Sequence, residues 1–83
     1  MKYTFFSDPG HGWLEVPIRE IDALGIRGEI SSYSYYDRGL AFLEEDSDLL
    51  VFLRAKHSRG ETVELRHVHE EHTPIRGFQS WEG

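Results

Sequence analysis

The chain has 83 residues, no cysteine, and a formal net charge of −6 from 15 acidic and 9 basic side chains. That length holds a single domain, 1–83, with a modest core, and the missing thiols exclude disulfide scaffolds, thiolate zinc sites and cysteine nucleophiles. The acidic balance argues against a general phosphate-backbone binder, which needs a Lys/Arg stripe; it suits a basic protein partner, and it also serves solubility.

No apolar run approaches the roughly 18 residues of a membrane span. The start "MKYTFFSDPG" breaks its short apolar patch at Ser7, Asp8 and Pro9, so no signal peptide is expected and the expected location is the cytoplasm.

"KYTFF" (2–6) is β-rich, with Tyr3 and Phe5 on one face and Thr4 and Phe6 on the other. "SDPGHG" is dense in turn formers and "WLEV" resumes an extended pattern, which predicts a hairpin with a structured loop. In "VPIREIDALGI", Pro17 suits a first helical turn, Ile18, Ile21 and Leu24 make an apolar stripe, and Gly25 is a natural stop. The spacing predicts a helix over 17–24.

Serine–tyrosine alternation in "EISSYSYYDRGLAFLEE" predicts a second hairpin. Ile30, Ser32, Ser34 and Tyr36 would share one face of its first strand, "DRG" would be the turn and "LAFL" the return. The strongest helix lies in "EDSDLLVFLRAKHSRG". Asp46 or Ser47 would cap it, Leu49, Leu50, Phe52, Leu53 and Lys56 would form its buried stripe, basic residues would gather at its end, and Gly60 would stop it. "ETVELRHVH" alternates like a last strand. The tail, about 70–83, carries Ile75, Phe78 and Trp81 and would either pack across the sheet or fray. The expected fold class is α+β, in the order ββαββαβ, with a mostly antiparallel sheet and two helices on one face.

Three constellations could carry function. In the opening loop, Asp8 and His11 could form an acid/base pair, with Gly10 and Gly12 offering amides to an anion and Trp13 behind them. A phosphate loop, however, needs a following helix and usually a lysine, and here a strand follows. Turn chemistry accounts for each of these residues, so an Asx-type turn anchored by Trp13 is the expectation, with Asp8, His11 and Trp13 as the loop to inspect. The second is "HVHEEH". On a strand His67 and His69 share a face, and His72 could complete a three-nitrogen zinc site with Glu70 or Glu71. The spacing resembles the H-x-H-x-D-H motif of metallo-β-lactamase-type hydrolases over six residues, but those enzymes need a far larger sandwich. The expectation is therefore no metal and no other cofactor, with exposed histidines that can titrate near neutral pH. The third is "LEEDSD", where Glu44, Glu45, Asp46 and Asp48 crowd together beside the tyrosines of "YSYYDRG". A helix N-terminus favours acids but does not call for four in five positions. Tyr35, Tyr36 and Asp37 with the acidic fringe make a protein-binding patch.

The run from "KYTFFSDPGHGWLEVP" through "LGI", "ISSYSY" and "LEEDSD" resembles a family of small proteins encoded in bacteriophages, prophages and plasmids, over roughly the first 55 residues as a motif match. The resemblance brings no catalytic residues. It implies a mobile genetic element in a bacterial host, where small acidic proteins often bind host proteins, inhibitors of CRISPR–Cas complexes among them. The function expected is thus non-enzymatic: binding and inhibition of a host complex with a basic surface, with no direct nucleic-acid binding, as a monomer or homodimer. The alternatives are a metal-dependent protein or enzyme using His67, His69 and His72, and a self-associating structural or regulatory phage protein.

Overall fold

The computed structural model describes residues 1–82. Alternation sets the first two strands: β1 (Lys2–Ser7) and β2 (Gly12–Pro17) pair antiparallel, with Phe5 opposite Leu14 and Phe6 opposite Trp13. Pro17 closes β2 and stands at the N-cap of α1 (Ile18–Leu24), a short helix that buries Ile21 and ends at Gly25. A 3-10 turn, Arg27–Glu29, follows.

The second hairpin is shorter than serine–tyrosine alternation predicts. Its strands are β3 (Tyr35–Asp37) and β4 (Leu40–Glu44), joined by Arg38 and Gly39 at φ 50° and 81°. Two consecutive positive φ angles match the right-handed twist of the flanking strands, and glycine takes the second without strain. Ile30 to Ser34 do not extend β3. Ser31 and Ser34 instead bend around the carboxylate of Asp48, which accepts from Ser31 N at 3.1 Å, from Ser31 Oγ at 2.7 Å and from Ser34 Oγ.

Helix α2 (Asp48–Ser58) buries Asp48, Phe52 and Lys56, spaced one turn apart on one face. Leu50, expected in the buried stripe, is 47% exposed. Ser47 occupies the N-cap position without capping the helix; its hydroxyl donates to Glu44. Lys56, which belongs both to the expected stripe and to the basic end of the helix, is buried between α1, α2 and β1. Its Nζ lies 3.3 Å from Glu20 and 3.1 Å from Glu61, and the Tyr3 hydroxyl also bonds Glu20. Burial works to lower the Lys56 pKa, but its bonds to Glu61, Tyr3 and Glu20 outweigh it and raise the pKa.

Strand β5 (Glu64–His69) lies parallel to β1, Lys2 opposite Glu64 and Ser7 opposite His69. The tail packs rather than frays. It forms a 3-10 turn, Pro74–Gly77, and a short strand β6 (Gln79–Ser80) that pairs with β3. The six-stranded sheet has the order β5-β1-β2-β4-β3-β6, mixed through its one parallel pair, β1–β5. The protein is thus a small single α+β domain.

Two apolar clusters flank the sheet. Tyr3, Phe5, Leu14, Val16, Ala41 and Leu43 join Ile21 of α1, Phe52 of α2 and Trp81 in the larger one. Side chains one position out of phase, Trp13 and Phe42, pack with Ile75 of the tail, and Phe6, Tyr35 and Phe78 lie against them. Burying large rings on both sides compensates for the small size of the chain. Among the described residues, no helix is long and apolar enough to cross a membrane.

Candidate functional site

The opening loop is an Asx-type turn, as its composition predicts. Asp8 N donates to His11 O, and Asp8 Oδ1 accepts from the backbone N–H of Gly10 and of His11, each at 2.9 Å. Asp8 does not pair with the His11 ring. Its partner is Arg76, brought from the tail, whose Nε and Nη2 donate to the carboxylate at 2.8 and 3.0 Å. The Arg76 guanidinium, helped by the loop N–H groups and opposed by burial, holds the Asp8 carboxyl well below the usual carboxylate range. The acid/base pair is therefore replaced by an ion pair that fastens the tail to the first hairpin.

Trp13 connects this loop to the rest of the molecule. It is 2% exposed. The Arg76 guanidinium lies 5.5 Å from its ring centroid, His11 5.9 Å and Tyr35 6.3 Å. Across the β2–β4 pairing Trp13 stands opposite Glu44. There β4 ends in a turn, fixed when Glu44 Oε2 accepts from Asp46 N at 3.0 Å and from Ser47 Oγ at 3.2 Å. Glu45 N bonds Gly12 O, so the acidic turn leans on the opening loop.

These pieces surround a cleft of about 470 Å³. Its lining draws on the opening loop and tail through His11, Trp13 and Arg76, on the serine–tyrosine stretch through Ser32, Tyr33 and Tyr35, and on the acidic turn through Glu44, Asp46 and Ser47. Tyr33 is 75% exposed at the rim. Among the described residues, none of Glu44, Glu45 and Asp46 has a salt-bridge partner. Two constellations that are far apart in sequence, the opening loop and the acidic–tyrosine stretch, thus meet in one place.

Of the residues expected in a binding patch, Tyr35, Glu44 and Asp46 line the cleft, and Glu45 sits beside it against Gly12. Tyr36 stands apart: its hydroxyl bonds Gln79 and its ring meets Trp81 edge-on. Asp37 is at the hairpin turn beside Arg38. The expectation that Asp48 faces a partner is corrected, since it is 2% exposed and its carboxylate is turned inward to Ser31 and Ser34. Tyr33 and Arg76 were not singled out. The Tyr33–Tyr35 spacing carried a signal for the first, but nothing local points to Arg76, which is recruited by the fold.

The histidines of "HVHEEH" do not converge. His67 lies against the Phe5 ring at 5.4 Å, and His69 contacts Ser7 Oγ at 3.1 Å through Nδ1. Among the described residues, no three His, Asp or Glu side chains come together in a way that could hold a metal ion. Searches of family models, curated proteins and solved structures find no match for this chain.

Proposed function

We propose that this is a non-enzymatic binding protein that docks its acidic, tyrosine-bearing face on a basic surface of another protein. The observation that carries the reading is the cleft: Glu44, Asp46, Tyr33 and Tyr35 border one recess, with Glu45 beside it. Carboxylates without internal cations attract a basic partner over a Debye length, and exposed tyrosine supplies contact area at low entropic cost. The resemblance to proteins of mobile elements adds the setting, a bacterial host complex that handles nucleic acid, such as a CRISPR–Cas complex. Occupying a surface meant for phosphates would inhibit it.

The test is a capture assay with the full chain immobilised in nuclease-treated host lysate. Captured proteins should be nucleic-acid binders, be displaced by duplex DNA, and be lost as salt rises. The double reversal Glu45→Lys with Asp46→Lys should remove capture while leaving the circular dichroism spectrum and melting temperature in place; Glu44 is spared because its carboxylate holds the turn. Capture unaffected by both salt and reversal would dismiss the proposal.

A further inference from the structure

We infer that the cleft receives one arginine side chain of the partner, an assignment that rests on the docking reading above. The charge balance points to a cation. Glu44 and Asp46 lie in the lining without a salt-bridge partner among the described residues, whereas Arg76 is committed to Asp8 by two bonds. An anion entering here would meet both carboxylates. A volume of about 470 Å³ is generous for a single side chain and leaves room for the flanking backbone of a peptide segment.

The walls select guanidinium over ammonium. Tyr33 and Tyr35 offer aromatic surface next to the carboxylates, and a planar guanidinium can stack on a ring while donating in parallel to a carboxylate. The fold already uses that arrangement twice. Arg76 stands 5.5 Å from the Trp13 ring centroid while bonded to Asp8, and Arg27 stands 5.4 Å from that of Trp81 while bonded to Asp22 at 2.6 Å. In the cleft, Tyr33 and Tyr35 share a lining with Glu44 and Asp46, while the guanidinium already there, that of Arg76, is committed to Asp8.

The test titrates the full chain with N-acetyl-arginine methylamide, its lysine and citrulline counterparts, and inorganic phosphate, reading the aromatic NMR signals of Tyr33 and Tyr35. The arginine derivative should give saturable shifts at both rings, the lysine derivative should bind about threefold or more weakly, and citrulline and phosphate should leave the rings unmoved. Tyr33→Ala and Asp46→Asn, both at exposed positions, should each weaken arginine binding by about threefold with the fold intact. Absence of saturation, equal response to lysine, or phosphate shifts at these rings overturns the inference. If arginine fails while the Glu45/Asp46 reversal still abolishes capture, the inference falls and the docking reading stands. If arginine binds at both rings while the reversal leaves capture unchanged, the docking reading falls and the inference falls with it, because no docked partner then supplies the guanidinium.

Discussion

Replacing Asp48 by alanine should destabilise the domain by about 3–5 kcal/mol. The carboxylate is 2% exposed and accepts from Ser31 N, Ser31 Oγ and Ser34 Oγ. Bonds to a charged acceptor are worth about 1.5–3 kcal/mol each, and a buried donor left without one bears its full desolvation cost. Ser34 is fully buried, so its hydroxyl cannot recover water; it also loses its orientation toward Glu44 N–H, from which its Oγ accepts at 2.9 Å. Ser31 is less enclosed and regains part of its loss from solvent. A further few tenths to about 1 kcal/mol follows from removing a negative charge at the start of α2. Against a total stability of about 4–12 kcal/mol for a chain of this length, the change is large. Urea denaturation checks it: the midpoint should fall with the slope unchanged. Asp46→Asn, two residues away and exposed, should stay within about 0.5 kcal/mol of wild type. A cycle with Ser34→Ala should show coupling, because each partner loses its value without the other. If Asp48→Ala costs less than about 1 kcal/mol, or adds independently to Ser34→Ala, then the bend at 31–34 is not held by Asp48 and the reasoning fails.

Two further perturbations test the opening loop. In Gly12→Ala the new Cβ would lie 2.3 Å from Phe5 Cζ and 2.9 Å from Cε2, atoms of a core ring, so a loss of about 1–3 kcal/mol is expected in thermal melts. Gly28→Ala, with no atom within 4 Å, should leave the melting temperature in place. Asp8 is held below its ordinary pKa of 3.8, so its contribution to stability is complete above that value and lost as pH falls below it. Denaturation curves from pH 2 to 7 should therefore show a steeper loss of stability in acid for wild type than for Asp8→Asn; equal slopes would mean that the Asp8–Arg76 pair is not formed in solution.

Local pattern and turn chemistry suffice for much of this fold. The first hairpin, the proline entry and glycine exit of α1, and the turn at Arg38 and Gly39 can each be read from residues within a few positions of one another. What fails to read locally depends on partners far along the chain. The tyrosines at 31–36 and their alternation with serine point to a strand, yet a buried carboxylate 17 residues beyond Ser31 folds the first half of that segment into a bend. Lys56 follows the helix dipole in sequence, but its surroundings are set by Glu20 and Glu61. The cleft shows the same division. The acidic turn, the tyrosines and the Asp8 loop were each visible, whereas their meeting is a product of the β2–β4 pairing and of Arg76 arriving across 68 residues.

The parallel pairing of β1 with β5 bears on how the chain reaches this state. As it leaves the ribosome, β1 can find β2 within a dozen residues, but its other edge stays open until residues 64–69 have been made. The seal between β3 and β6 comes later still. Until then a nascent chain carries an open strand edge next to Tyr3, Phe5 and Phe6, and contacts of such long sequence separation form slowly. Efficient production should depend on chaperones that shield that edge, and chains halted before residue 64 should aggregate through it.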